Sequence, residues 1–217
     1  MAIRPVYIIS ENQPFYICND IEFNFCPGFS VTQKQKSIRN LHTSFLEQFP
    51  DEKVLEISSK SECEIGRDLS AFNLLITLQD GTKVSVESAF QSSKVFENGG
   101  PYRDMLFLNS YEAKKDERLH TSGKIIGFEF EGKAFKTEPK TLFYNWLYIN
   151  ALNQNKHLHK ELSEYTAFTD IEFNPKKSIN CQAIAAAVYV SLKKQGLSEK
   201  ALESPESFLN TVYGITV

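Results

Sequence analysis

The sequence predicts an α+β fold in which helices prevail. Short strands of apolar residues mark the first thirty positions, two strands flank an Asp80-Gly81 turn, and most of the remainder carries apolar residues at three- and four-residue steps. No internal repeat and no Pro-, Gly- or Ser-rich linker divides the chain. The expected organisation is therefore a single domain, mainly helical, with a small antiparallel sheet that includes the hairpin at 74–86.

Arg4-Pro5-Val6-Tyr7-Ile8-Ile9 opens the first strand. Ile21-Glu22-Phe23-Asn24-Phe25 alternates as a second until Pro27-Gly28 stops it. Ser30 or Thr32 caps a helix along which Ile38, Leu41, Phe45 and Phe49 recur, and Pro50-Asp51 ends it. Val54-Leu55-Glu56-Ile57 is a short strand, followed by the hairpin, Leu74 to Gln79 and Thr82 to Val86. Helical patterns then cover roughly 87–97, 110–119, 138–153, 156–164, 180–195 and 204–212, with one β excursion from Ile125 to Phe130 closed by Glu131-Gly132. Residues Ala183 to Val190 are small and apolar nearly all round, which predicts a central helix with a packing role.

Composition narrows the class. With 41% hydrophobic and 24% charged residues, and only 10 Gly and 8 Pro in 217, collagen-like, low-complexity and wholly disordered readings are excluded. No apolar run approaches the ~20 residues of a membrane helix, and the start, Met1 to Phe15, lacks the apolar core and cleavage site of a secretion signal. A cytoplasmic protein with no membrane partner is expected. Cys18, Cys26, Cys63 and Cys181 are spaced neither as zinc pairs nor as a disulfide framework, so reduced thiols are expected. His157 and His159, two apart on a helix, point to different faces; neither a metal nor a cofactor is expected. The net charge of −3 does not suit binding driven by phosphate neutralisation, so any nucleic-acid partner must be met locally.

Functional groups are densest between Gly66 and Gly100. A strand delivers its end at Val86 and a helix begins at Glu87, placing Glu87, Gln91 and Lys94 on one side at i, i+4 and i+7, with Phe90 beside them. A carboxylate at a helix start is also what the helix dipole alone would favour, and such a polar face is also what solvent alone would favour.

Gly66-Arg67-Asp68-Leu69-Ser70-Ala71-Phe72, the Asp80-Gly81 hairpin, and Glu87-Ser88-Ala89-Phe90-Gln91-Ser92-Ser93-Lys94 resemble the signature of the NADAR superfamily: a G-x-[FL]-S-N-F segment, a DG hairpin, then an E-H-x-x-Q-x-x-K helix. Thr169-Asp170-Ile171-Glu172-Phe173 and Ser178-Ile179-Asn180 resemble that family's late D-x-x-W-G…G-x-N element. The resemblance covers roughly 66–195. It departs at Ala71 for Asn, Ser88 for His and Phe173 for Trp, and no Gly follows Phe173. The N-terminal segment, residues 1–65, with Pro27-Gly28-Phe29-Ser30 and Gln33-Lys34-Gln35-Lys36-Ser37, together with Val95-Phe96-Glu97-Asn98-Gly99-Gly100, resembles the NADAR antitoxins encoded beside DarT-type DNA ADP-ribosyltransferases. On this reading 1–217 is one NADAR domain with an antitoxin-type extension packed on its core.

The resemblance implies an N-glycosidic hydrolase that removes ADP-ribose from guanine in DNA, with a DarT-type toxin as genetic partner. Cleaving a ribose–nitrogen bond builds positive charge at the anomeric carbon, which a carboxylate stabilises, and requires the departing base to be protonated or held. Water activated by a carboxylate, or a lysine amine, then captures the sugar. Glu87 matches the family's motif glutamate. Asp170 matches the late acid, although a turn or cap is an equal alternative. Lys36 is the candidate nucleophile or acid, set against a solvated lysine. Ser70, Phe72 and Gln91 match binding positions, and Asn73, Phe90, Lys94 and Asn180 join them. Asn98-Gly99-Gly100 offers backbone amides to a phosphate, or a helix C-cap. Phe173, Tyr144 and Trp146 are candidates to stack on guanine, with core packing the stronger alternative for the last two. The missing His implies that acid–base work falls to other groups. Two rivals stand beside this reading: an N-glycosidase of a small nucleotide-like or riboflavin-pathway metabolite, and a non-catalytic module that binds ADP-ribose or the toxin.

Overall fold

The computed structural model describes residues 1–176 and 178–216; Lys177 and Val217 lie outside them. The chain opens with β1 (Ala2–Ile9), β2 (Tyr16–Phe23), α1 (Val31–Leu46), β3 (Val54–Glu56) and α2 (Glu64–Asp68). It continues through β4 (Leu75–Thr77), β5 (Lys83–Ser85), α3 (Val86–Ser92), β6 (Lys94–Phe96), α4 (Ser110–Lys115), α5 (Arg118–Thr121), β7 (Ile125–Phe130), β8 (Lys133–Phe135) and α6 (Leu142–Gln154). The last elements are α7 (His159–Leu162), β9 (Ala167–Thr169), α8 (Gln182–Lys194), α9 (Ser198–Leu202) and α10 (Pro205–Tyr213). This is the α+β class expected, with helix exceeding strand. Among the described residues no helix is long and apolar enough to cross a membrane. The residues gather into two compact units: 1–70 with the chain from 156 onward, and 71–155.

In the first unit, β2, β1, β9 and β3 form one sheet in that order. β1 is antiparallel to both β2 and β9, while β3 runs parallel to β9. Beyond the small antiparallel sheet expected, this sheet is mixed, because β9 is inserted between two strands from the start of the chain. The alternation in β2 turns Ile21 and Phe23 inward, against Val6, Ile38, Leu41, Phe45, Ala167 and Ile171. Helix α1 starts where Ser30 Oγ accepts the Gln33 amide. The Ala183–Val190 stretch lies in α8, where Ala183, Ala185, Ala186, Ala187 and Val188 are fully buried, as a helix apolar nearly all round requires. Gly66 in α2 lies so close to β3 that a Cβ would fall 2.2 Å from the Glu56 carbonyl oxygen.

The second unit holds the hairpin β4–β5 and an antiparallel sheet, β6-β7-β8. The hairpin loop is longer than the two-residue turn expected: the Gly81 amide donates to Leu78 O, Leu78 N to Thr82 O, and Gly81 has φ +87°. The loop is thus Gln79-Asp80-Gly81, closed by a glycine in the left-handed region. Its core is aromatic, with Phe128 stacked on Phe143 at 4.8 Å and Phe135 packed on Phe143 and Trp146.

Several helices are shorter than their periodicity suggested. The pattern read as 87–97 stops at Ser92, where Ser92 Oγ and Ser93 Oγ donate back to the Ala89 carbonyl and residues 94–96 pair with β7. The pattern at 110–119 breaks at Asp116, and α2, α9, β8 and β9 carried too few residues to show a period.

Gly66→Ala is expected to cost about 1–3 kcal/mol, the scale of overpacking. Denaturant unfolding measures it; stability equal to the parent would show that β3 can yield at this point.

Candidate active site

Within the second unit, the strand-to-helix junction fixes Glu87. Val86 N donates to Leu74 O and Glu87 N to Ala71 O, both at 2.9 Å, while Ser85 Oγ caps α3 by accepting Ser88 N. Glu87 thus sits in the first turn of α3, where the dipole favours a carboxylate, and is only 6% exposed. One turn on, Gln91 Nε2 donates to Glu87 Oε1 at 2.9 Å, and Gln91 Oε1 accepts from Lys94 Nζ at 2.6 Å. The amide is oriented by its two neighbours, acid on one side and amine on the other. Lys114 Nζ stands 3.7 Å from Glu87 Oε1.

Lys94 is the first residue of β6 and not a member of α3, which corrects the helical i+7 placement. The chain of contacts survives because the turn after Ser92 brings the amine back to Gln91. Burial pulls Lys94 down to about 8, with Glu87 opposing the drop and Lys114 adding to it. Lys94 Nζ and Lys114 Nζ each lie 4.9 Å from a ring centroid, those of Phe90 and Phe72 respectively.

Ser88 occupies the place of the family's histidine. Its hydroxyl donates to Leu108 O at 3.0 Å and accepts from Ser85 Oγ, with Ser110 Oγ closing the cluster. This hydroxyl fastens a loop. Phe90 packs against Phe128, Phe143 and Tyr144, and Tyr144 and Trp146 are each 6% exposed, so these rings build the core of the unit. Asn73 is exposed just before β4. The Asn98 amide donates to Ser122 O at 3.0 Å and Gly99 O accepts from Phe96 N, so this segment is a turn after β6 and not a cap of α3.

The first unit contains a second acidic centre. Asp170 follows β9, and its Oδ1 accepts the amides of Glu172 and Phe173 at 3.0 and 3.1 Å. Burial, then repulsion from Glu56, pushes its carboxyl well above the usual range. Glu56, on β3, is 2% exposed; its Oε2 accepts the Thr169 hydroxyl at 2.6 Å and its Oε1 the Ile171 amide at 2.9 Å. Burial raises Glu56 as well. His42 Nε2 lies 2.9 Å from Thr169 Oγ1, and burial holds that imidazole down to about 4, hence neutral.

Neither Glu56 nor His42 was among the expected site residues. Glu56 left a trace: it is the one charged residue in the apolar run Val54 to Ile57. Among the expected residues of this unit, Phe173 is 8% exposed and Ser70 1%. Asn180 Oδ1 is buried with no hydrogen-bond partner among the described residues. Lys36 is exposed on α1, whereas its neighbour Lys34 pairs with Glu172 at 3.0 Å. The structure therefore joins Phe72, Glu87, Phe90, Gln91 and Lys94 in one unit, and Asp170 and Phe173 in the other. Among the described residues no three His, Cys, Asp or Glu side chains cluster as metal ligands.

Glu87, Gln91 and Lys94, the positions that carry the sequence resemblance, are thus linked by hydrogen bonds at the start of the helix that follows the DG hairpin. A family model described as DarT1-associated NADAR antitoxin matches residues 2–217, and the chain belongs to that family. No curated protein gives a significant match.

The lowered Lys94 value has a consequence for stability. Because the folded value lies below that of the unfolded chain, the unfolded state binds more protons between about pH 8 and 10.5, and the contribution of this group to stability rises with pH across that window. Chemical unfolding of wild type and Lys94→Met at several pH values is expected to show wild type gaining on the variant from pH 8 upward. A constant difference would mean that Lys94 titrates as a solvated amine.

Proposed function

We propose that this chain is an N-glycosidic hydrolase that removes ADP-ribose from guanine bases in DNA, and so acts as the antitoxin to a DarT-type ADP-ribosyltransferase. The observation that carries the reading is Glu87, a carboxylate withdrawn from water at the α3 junction and oriented by Gln91, in a chain belonging to a DarT1-associated antitoxin family. A negative charge in so dry a setting acts strongly on charge developing nearby, and its position is fixed before the reaction begins.

In this reading the bond from the anomeric carbon to the guanine nitrogen breaks with its electron pair leaving on the base. Glu87 stabilises the positive sugar and takes a proton from the incoming water. Departure of the base also needs a proton, and Asp170, the matching late acid in the first unit, is the second catalytic candidate. Lys94 and Lys114 supply positive charge for the diphosphate beside Phe72 and Phe90. Lys36, exposed on α1 of the first unit, is the candidate amine of that unit, as a charge or as a nucleophile.

Glu87→Gln keeps the shape and loses the charge. It is expected to preserve the fold and ADP-ribose binding while slowing cleavage by at least about a hundredfold, the scale of one positioned catalytic group. A helix-end charge would instead cost about 0.3–1 kcal/mol of stability and leave turnover unchanged. Melting temperature and single-turnover release of ADP-ribose from modified DNA, read on the same variant, separate the two.

A further inference from the structure

Two lysines stand near Glu87, and each lies over an aromatic ring: Lys94 over Phe90 and Lys114 over Phe72. The two rings differ in what they touch next. Phe90 is buried and packs on Phe128, Phe143 and Tyr144, which are buried as well. Phe72 is half-buried, and its ring meets that of Tyr111 with centroids 5.1 Å apart. Tyr111 is 59% exposed; among the described ring contacts around these two lysines, it is the side chain open to water.

The place of that ring is fixed from below. Asn109 Oδ1 accepts the amides of Tyr111 and Glu112, and Glu112 Oε2 accepts the Asn109 amide, so α4 begins in a reciprocal cap. Ser110 Oγ donates to the Phe72 carbonyl at 2.9 Å, and Ser88 Oγ ties Leu108 to α3. A tyrosine has two side-chain torsions, so a ring held in this way offers a large flat surface at small entropic cost. Lys114 follows Tyr111 by three residues on α4, which puts the two on one helix face. Its amine is 3.7 Å from Glu87 Oε1 and 4.9 Å from the Phe72 centroid, so it links the carboxylate to the ring pair.

We propose that Tyr111, backed by Phe72, is the stacking platform for a purine ring of the substrate, with Lys114 beside it to meet the substrate's negative charge. The proposal rests on the reading of Glu87 as the carboxylate of an ADP-ribosylguanine hydrolase. That substrate carries a purine at each end of its ADP-ribose: guanine on the carbon that Glu87 serves, and adenine beyond the diphosphate. Either offers the flat face that an aromatic side chain takes without regard to the base's edge. The diphosphate complements Lys114 and Lys115, which together form the end of α4. Tyr144 and Trp146 are ruled out of this part by their packing, since a ring closed in on both faces has none to offer.

Fluorescence polarisation of a labelled oligonucleotide bearing ADP-ribosylguanine tests this, with free ADP-ribose as competitor. The full chain carries Glu87→Gln in every sample, so that the ligand stays intact. Adding Tyr111→Ala is expected to weaken binding at least about fivefold, the lower end of what one stacked base contributes. Tyr111→Phe keeps the ring and is expected to bind within about twofold of its parent. Tyr111→Leu keeps an apolar contact with Phe72 but has no π-face, so it is expected to bind like Tyr111→Ala, and it carries the test should the alanine variant not fold. A loss confined to the oligonucleotide assigns the ring to guanine; an equal loss for ADP-ribose assigns it to adenine. Unchanged affinity in Tyr111→Ala or Tyr111→Leu would overturn the platform, as would an equal loss in Tyr111→Phe. Wild type that binds the oligonucleotide through Tyr111 but never releases ADP-ribose would overturn the hydrolase reading and leave the platform standing.

Discussion

A carboxyl group taken out of water must either be met by donors or keep its proton, and each compact unit meets this constraint in its own way. In the second unit Glu87 is met: the helix start, the Gln91 amide and the two lysines surround it with positive ends of dipoles and charges. In the first unit Glu56 accepts the Thr169 hydroxyl and the Ile171 amide and Asp170 accepts two backbone amides, while burial raises both carboxyls. Truncating Gln91 would take a hydrogen-bond donor from the buried Glu87 carboxylate, a cost larger than the net worth of the contact itself.

The elements around these groups follow from that need. Strand β5 has to end at Ser85 for α3 to begin with its carboxylate in the first turn, and the amides of Val86 and Glu87 are absorbed by Leu74 and Ala71. Helix α3 has to stop after Ser92 for Lys94 to come back toward Gln91, and the serine hydroxyls turned onto the Ala89 carbonyl give it that stop. In the first unit, β3 and β9 must lie parallel and in register for Glu56 to reach both neighbours of Asp170. Gly66 is the packing counterpart of this, since α2 presses directly on the β3 backbone there.

Much of this was legible in the chain because it was local. The α1 cap at Ser30, the inward alternation of Ile21 and Phe23, the Asp80-Gly81 hairpin and the alanine-rich α8 are each written within a few residues. Glu87 and Gln91 were legible for the same reason, one helical turn apart. What was not legible depends on residues distant in sequence. Strand β9 has three residues and exists because β1 and β3 offer it two edges; the mixed sheet follows from that insertion. Lys94 left the helix because β7 paired with it. Glu56, His42 and Thr169 come from β3, α1 and β9, and no spacing within one segment announces their meeting. Tyr144 and Trp146 illustrate the converse: two rings of α6 that suit base stacking on paper are packed against Phe90, Phe130, Phe135 and Tyr148.

The central claim is that the chain is a catalyst and not a cap on its target. Incubating a substoichiometric amount of wild-type protein with DNA bearing ADP-ribosylated guanine, and counting moles of free ADP-ribose and restored guanine per mole of protein, addresses it directly. Many turnovers, with unmodified guanine and free ADP-ribose formed in equal amounts, is the result this account predicts. Release that never exceeds one equivalent, or protection against the toxin with no release at all, would contradict it.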